Sequence, residues 1–165
     1  MLVDSPPAEA KVAGIILAAG ASRRMGSVNK LLASIAGKPL VRHAVESFVA
    51  TSLSPIIVVV GYESDKVAAV LEGLPVQLVF NPDHATGQGS SVGVGVEALD
   101  NNVTDAMIGL GDMPLLSSTL LDSLIHTHIG HEGHVRNITI PVFEGQRGNP
   151  VLWGCLLYTS DAADD

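Results

Sequence analysis

Short apolar runs alternate with amphipathic, helix-like segments from Val12 onward. The runs are continuous rather than alternating, as in strands buried on both faces of a parallel sheet. The strand candidates are 12–17, 56–60, 76–80, 106–110, 138–140 and 151–153. Strands that alternate with helical patterns favour a parallel sheet with covering helices. We therefore expect an α/β domain whose sheet is mostly parallel.

Four segments between these runs repeat apolar residues at helical spacing. They are 40–49, 67–71, 90–99 and a segment that carries Leu120, Leu121, Leu124 and Ile125. Pro39 suits a first helical turn, and Ser117 or Ser118 suits the cap of the last helix. Gly93 and Gly95 should cost the third helix about 1 kcal/mol each relative to alanine.

Three loops rich in small or polar residues, 18–30, 81–91 and 111–116, each follow a strand candidate. Ligands of open α/β sheets bind beyond the carboxyl ends of the strands. We therefore expect these loops to meet at one edge of the sheet and to form a ligand site there.

Composition narrows the class of ligand. The 165 residues suffice for one domain with a real core, at 47% apolar and 16% charged residues. The net charge of −8 argues against nucleic-acid binding, yet five of the nine cations fall within residues 23–42. A basic focus in an acidic chain suits a small polyanion.

The cysteine content and the apolar runs bear on the cellular compartment of the protein. The single cysteine, Cys155, fits a reducing cytoplasm. No apolar run reaches the roughly 18 residues of a membrane span, and the start MLVDSPPAEAK lacks a signal-peptide pattern. We expect a disordered lead-in over 1–10 and a domain over 11–154.

The loop after the first strand carries the strongest signal, with the sequence LAAGASRRMGSVNK over Leu17 to Lys30. Small residues after a buried strand let backbone N–H groups approach an anion, and the cations that follow add charge. The loop has neither the Walker pattern G-x-x-x-x-G-K-[ST] nor the dinucleotide pattern G-x-G-x-x-G. The chemistry that fits is a nucleoside triphosphate held by its phosphates.

Asp112 is the second feature of the sequence that indicates a nucleotide site. In Gly-Asp-Met-Pro at a strand end its carboxylate can hold a hard cation such as Mg²⁺ through oxygen. The same position equally suits a turn aspartate that bonds its own backbone.

The first loop resembles the signature L-A-[AG]-G-x-S-x-R-M-G-x-x-K of nucleotidyltransferases, most closely the molybdenum cofactor guanylyl- and cytidylyltransferases. The resemblance covers Leu17 to Lys30 almost without a gap and extends to G-D-M-P, to the loop 81–91 and to Arg147-Gly148-Asn149-Pro150. It implies a three-layer Rossmann-like nucleotidyltransferase fold and a Mg²⁺-dependent transfer of a nucleoside monophosphate with release of pyrophosphate.

The resemblance also implies roles for individual residues. The catalytic group would be Arg23, Lys30 and Asp112, with Mg²⁺ on Asp112. The nucleotide would contact Leu17, Ala18, Ala19, Gly20, Ser22, Arg23, Lys30, Asn81, Gly87, Ser90 and Ser91. The acceptor would contact Arg147 and Asn149, although Arg147 also suits a surface hairpin.

The identity of the nucleotide and of the acceptor is predicted from a closer resemblance to one branch of the family. Ala18-Ala19-Gly20 and Asn29-Lys30 resemble the cytidylyl branch, which favours CTP over GTP and a molybdopterin-type acceptor whose product passes to an apo-molybdoenzyme or its chaperone. Sugar-phosphate or methylerythritol-phosphate nucleotidyl transfer shares the first loop. A catalytically silent nucleotide-binding module is the third hypothesis.

Two further stretches depart from this picture. His126, His128, His131 and His134 lack a familiar zinc spacing, so we interpret them as a solvated helix end and loop. The segment 155–165 lacks the G-D-x-G motif that supplies a second metal aspartate in the family. It resembles translated adaptor sequence, so we expect a non-native tail on a truncated domain.

Overall fold

A computed structural model describes residues 9–21, 26, 28–155 and 157. The strands are β1 (Val12–Ala18), β2 (Ser34–Ile35), β3 (Lys38–Pro39), β4 (Ile56–Val60), β5 (Gln77–Phe80), β6 (Asp105–Leu110), β7 (Ile138–Thr139), β8 (Val142–Phe143), β9 (Gln146–Arg147) and β10 (Val151–Gly154). The helices are α1 (Leu40–Val49), α2 (Ser64–Val70), α3 (Gln88–Glu97) and α4 (Ser118–Ile129). Single 3₁₀ turns occur at Lys30–Leu32, His84–Thr86 and His134–Arg136.

Six strands form the main sheet in the order β5-β4-β1-β6-β10-β7. The first four are parallel, and β10 runs antiparallel to both β6 and β7. In the centre, Ile15 of β1 lies opposite Ile57 of β4 and Ile108 of β6. The expected α/β fold with a mostly parallel sheet is confirmed.

The sheet is covered on both faces, because its strands β1 and β4 are buried at every position. Helices α1, α2 and α4 cover one face, where Phe48, Ile16 and Met107 are almost fully buried. Helix α3 covers the other face, over Ile15 and Val59. The result is three layers, as the resemblance implied.

Gly95 explains how α3 lies close to this second face. A Cβ at this position would stand 2.6 Å from Cγ2 of Ile15 and 3.2 Å from Cγ2 of Val59. The glycine therefore allows a close approach between helix and sheet that alanine would obstruct.

The structure differs from the sequence expectations mainly at element ends. Helix α2 begins at Ser64 and α3 at Gln88, earlier than the apolar periodicity indicated. Ser117 rather than Ser118 caps α4, where its hydroxyl accepts the N–H of Leu120 at 3.2 Å. The hairpin β2–β3 was not predicted, because strands of two residues are too short for a readable pattern. The hairpin β8–β9 is the surface hairpin that the sequence offered as the alternative for Arg147. Within the described residues, no helix is long and apolar enough to cross a bilayer.

Candidate functional site

A cleft of about 560 Å³ opens beyond the carboxyl ends of β1, β4 and β6. Its lining comes from the loops that follow these strands, from the loop after β5 and from the start of α3. The lining residues are Leu17, Ala19, Gly20, Ala21, Leu31, Tyr62, His84, Ala85, Gly87, Gln88, Ser91, Leu110 and Asp112. The three loops singled out in the sequence therefore do meet at one edge of the sheet.

The turn after β1 forms one wall of the cleft. Backbone hydrogen bonds tie it to its neighbours: the Tyr62 N–H donates to Ala19 O at 3.1 Å, and the Gly111 N–H donates to Leu17 O at 2.9 Å. Gly20 is exposed, and a Cβ there would meet nothing within 4 Å. Ala18 points the other way, into the core under α1, so it lies behind the cleft rather than in its lining. Ser22 and Arg23 lie outside the described residues.

Lys30 and Asp112 face each other at the rim of the cleft. The Lys30 Nζ donates to Asp112 Oδ2 at 3.4 Å, and the two side chains are 44% and 39% exposed. Lys30 begins a 3₁₀ turn that buried Asn29 caps, since Asn29 Oδ1 accepts the Leu31 N–H at 3.1 Å. The pair joins the first loop to the loop after β6 and leaves both charges accessible to a ligand.

Asp112 has the chemistry of a Mg²⁺ ligand. It is the one carboxylate in the described lining of the cleft, and it is partly exposed. Mg²⁺ is commonly held by one or two carboxylates together with substrate phosphates and water. The residues present therefore fit this ion when a phosphate ligand completes its coordination.

Asn81 holds the loop that leads into α3. Its side chain is fully buried, and its Nδ2 donates to Ser90 Oγ and Ser91 Oγ, both at 2.9 Å. Its Oδ1 accepts the Asp83 N–H at 2.9 Å. Of these residues Ser91 lines the cleft, whereas Asn81 lies beneath the loop. The amide thus connects both ends of the loop, which favours positioning over direct contact.

Gly87 sets the direction of α3. Its φ of 126° and ψ of 173° suit glycine alone, and the helix begins at the next residue, Gln88. The N-cap residue Gly87 has no side chain that could cap this helix N-terminus. Gly87, Gln88 and Ser91 all line the cleft, so the positive end of the helix dipole lies at the ligand site.

The sequence reasoning missed Tyr62 as a lining residue, whereas His84 and Gln88 lie in the loop 81–91 that it assigned to the site without giving either residue a role. Tyr62 follows Gly61 at the end of β4, and that strand-end position was the signal that could have identified it. His84 packs across Gly61, where a Cβ would stand 2.5 Å from Cβ of His84.

The two predicted acceptor residues are separated. Asn149 lines a smaller cavity of about 150 Å³ that shares Leu17, Gln88 and Leu110 with the main cleft. Arg147 lies on β9 of the β8–β9 hairpin and is exposed. The structure thus brings Asn149 beside the cleft and leaves Arg147 on a surface hairpin.

The interpretation of the histidines as a solvated helix end is wrong for His128. This side chain is fully buried, with Nε2 2.8 Å from Asp105 Oδ1 and Nδ1 2.7 Å from Thr139 Oγ1. His134 Nδ1 lies 2.9 Å from the same carboxylate. Burial raises the pKa of Asp105, but hydrogen bonds from His128, His134 and Thr104 outweigh burial and hold that pKa below its ordinary value. The spacing rules missed this cluster because Asp105 is distant in sequence.

Comparison with known proteins agrees with this geometry. A family model described as a MobA-like NTP transferase domain matches residues 14–163. The bifunctional protein GlmU of Clavibacter sepedonicus is 36% identical over 129 residues, which are 76% of this chain and 26% of that protein. The chain spans 24% to 32% of the length of the curated relatives it matches.

Solved structures share the fold. A nucleotidyl transferase from Methanothermobacter thermautotroptrophicus (Mth528) aligns with a TM-score of 0.75 and 23% identity over 91% of this chain and 74% of that one. Rv0371c of Mycobacterium tuberculosis H37Rv, in complex with manganese, aligns with a TM-score of 0.71 and 19% sequence identity, over 91% of this chain and 74% of that one. The 4-diphosphocytidyl-2C-methyl-D-erythritol synthase of Anaerococcus prevotii aligns with a TM-score of 0.70 and 16% sequence identity, over 93% of this chain and 76% of that one.

Proposed function

The chain belongs to the family of MobA-like NTP transferase domains, and from that premise we propose that it transfers a nucleoside monophosphate from a nucleoside triphosphate to a phosphate-bearing acceptor. The observation that carries the proposal is the cleft, which has the Lys30–Asp112 pair at its rim. Its volume lies within the roughly 300–1,000 Å³ typical of small-molecule sites.

The triphosphate would lie against the turn after β1. There the backbone of Gly20 and Ala21 is open to the cleft, and Lys30 supplies positive charge at the rim. The start of α3 adds N–H groups and the positive end of its dipole. The base and ribose would occupy the part of the cleft lined by His84, Gln88 and Ser91.

Asp112 would hold Mg²⁺, which supplies charge neutralisation on the phosphate oxygens. The partly exposed carboxylate supports this assignment, and so does the manganese complex of the structural neighbour Rv0371c. A nucleotide with its metal would replace the Lys30–Asp112 contact by two new ones. Asp112 would then turn to the metal and Lys30 to the phosphates.

In the reaction, an oxygen of the acceptor phosphate attacks the α-phosphorus of the nucleotide. A new oxygen–phosphorus bond forms, the bond from the α-phosphorus to the bridging oxygen breaks, and pyrophosphate leaves. Such a transfer depends on positioning and charge neutralisation and needs no protein nucleophile. Lys30, and Arg23 by its place in the motif, would neutralise the charge that develops on the leaving group.

We propose that the acceptor is molybdopterin and that the nucleotide is CTP, because the first loop resembles that of the cytidylyl branch. The product would then pass to an apo-molybdoenzyme or its chaperone. A methylerythritol phosphate or a sugar phosphate is an equally supported second acceptor, because the structural neighbour from Anaerococcus prevotii acts in that chemistry by its name. Asn149, in the cavity beside the cleft, would contact the acceptor in either case.

The test is a pyrophosphate-release assay with CTP, GTP and ATP, each paired with molybdopterin, methylerythritol phosphate and a hexose 1-phosphate. We expect Mg²⁺-dependent release that requires an acceptor and fails in Asp112→Asn. Asp100→Asn, an exposed aspartate in the loop before β6, is the control and should behave as the parent chain. Nucleotide binding without release for any pair would instead indicate a catalytically silent module.

A further inference from the structure

We propose that Asp105, His128 and His134 form a second cation site, for a divalent transition metal such as Zn²⁺, at the edge of the sheet opposite the nucleotide cleft. Asp105 is the first residue of β6, whereas the cleft lies beyond the last, Leu110. At about 3.3 Å per residue, the two sites are roughly 16 Å apart along the strand. The proposal is therefore independent of the proposed function.

The three side chains converge on one point from three elements. His128 comes from the last turn of α4, His134 from a 3₁₀ turn and Asp105 from β6. Their ligating atoms all lie within 4.8 Å of one another. Two imidazoles and one carboxylate are a donor set of catalytic zinc sites, which leave the fourth position to water.

The distances from the two histidine nitrogens to the Asp105 carboxylate are close to those a metal requires. A tetrahedral zinc with bonds of about 2.0–2.1 Å separates its ligand atoms by about 3.4 Å. The nitrogens of His128 and His134 are now 2.8 and 2.9 Å from the Asp105 carboxylate, so each contact would open by about half an ångström. His134 can supply most of this movement, because its side chain is 20% exposed and its helical turn has three residues.

Outer hydrogen bonds orient two of the ligands. Thr139 Oγ1 lies 2.7 Å from Nδ1 of His128, which leaves Nε2 directed at the shared point. The Thr104 hydroxyl donates to Asp105 Oδ2 at 2.7 Å. Metal-binding histidines characteristically donate their second N–H to such a partner, which fixes the ring. The cluster thus has an outer shell as well as three ligands.

Charge also favours a cation here. The Asp105 carboxylate is fully buried, and its hydrogen-bond partners among the described residues include the two histidines and Thr104. A buried carboxylate requires compensation by positive charge or by several hydrogen bonds. A divalent cation would supply that charge directly, and the partly exposed side of His134 offers it a path of entry.

The experiment is a Zn²⁺ titration of the full chain against a chromophoric chelator, after dialysis with a stronger chelator. We expect one Zn²⁺ per chain and at least a tenfold loss of affinity in His134→Ala. His131→Ala is the matched control, because His131 is exposed in the same histidine-rich segment and lies outside the cluster. It should bind as the parent does, and so should Asp112→Asn, which alters only the nucleotide cleft.

Thr139→Val tests the outer shell and should lower zinc affinity about 10- to 100-fold, with His128 and Asp105 intact. X-ray absorption of the parent chain should give nitrogen and oxygen neighbours at about 2.0–2.1 Å. Circular dichroism establishes that each variant is folded. Substoichiometric binding, or equal affinity in His134→Ala and His131→Ala, would overturn the proposal and leave the cluster as a hydrogen-bond network.

Discussion

Two glycines in helix α3 offer a matched pair of substitutions that tests how this helix packs. Gly93 is exposed, and a Cβ there would meet nothing within 4 Å. Gly95, two residues later, is buried against β1 and β4, where a Cβ would stand 2.6 Å from Ile15. We predict that Gly93→Ala stabilises the protein, whereas Gly95→Ala does not.

The magnitude follows from two opposing effects. Either substitution gains about 0.8–1 kcal/mol of helix propensity. Only Gly95→Ala also adds a methyl group to a full core, which costs about 1–3 kcal/mol. Because Ile15 and Val59 are both fully buried, neither side chain can move aside into solvent to make room for the new methyl group. The propensity cancels in the comparison, so Gly95→Ala should be less stable than Gly93→Ala by about 1–3 kcal/mol.

Urea unfolding followed by circular dichroism measures this difference, and the slope with denaturant should be the same for both variants. In thermal unfolding the difference corresponds to about 2–4 °C per kcal/mol for a chain of this size. Equal stability of the two variants, within about 0.5 kcal/mol, would refute the packing of α3 described here.

Three further predictions concern other groups. Lys30→Ala should lower kcat far more than it weakens nucleotide binding, because the role proposed for Lys30 is to neutralise the charge that develops during transfer. Lys66→Ala, at an exposed site on α2, is the control, and an unchanged kcat in Lys30→Ala would contradict the proposed role. Gly61→Ala should weaken nucleotide binding in calorimetry, because the new Cβ would displace His84 from the cleft wall, and unaltered affinity would refute that wall. Burial, with the Asp105 carboxylate adding to it, raises the pKa of Cys155 to about 11, so at pH 8 only about one thiol in a thousand is ionised. Alkylation of the folded chain should therefore be about a hundredfold slower than alkylation of the unfolded chain, and equal rates would contradict the raised pKa. The free energy of unfolding should also fall as pH rises from about 9 to 11, because the folded state then binds more protons than the unfolded state.

Continuous apolar runs made the parallel strands predictable. Val12 to Leu17 and Ile56 to Val60 are buried at every position, so their patterns are strong and their bounds were almost correct. The loops that follow them could be assigned to one edge because parallel strands share a direction. The position of the cleft therefore follows from the order of strands and loops in the sequence.

The remaining features depend on contacts between residues distant in sequence. His128 is buried because Asp105, 23 positions earlier, accepts its Nε2–H, and no local spacing rule includes such a partner. Asn81 was expected to touch the nucleotide, yet its amide is engaged with Ser90 and Ser91. The short hairpin that carries Arg147 has too few residues for periodicity to register.

The central claim is that Asp112 couples a nucleotide to a divalent metal in the cleft. Calorimetry of CTP, GTP and ATP with and without Mg²⁺, on the parent chain and on Asp112→Asn, tests it most directly. The Lys30–Asp112 pair is partly exposed and contributes at most about 1 kcal/mol to stability, so the variant should fold normally. We predict Mg²⁺-dependent nucleotide binding, strongest for CTP, that weakens at least tenfold in the variant. Binding that is indifferent to both Mg²⁺ and the substitution would contradict the account.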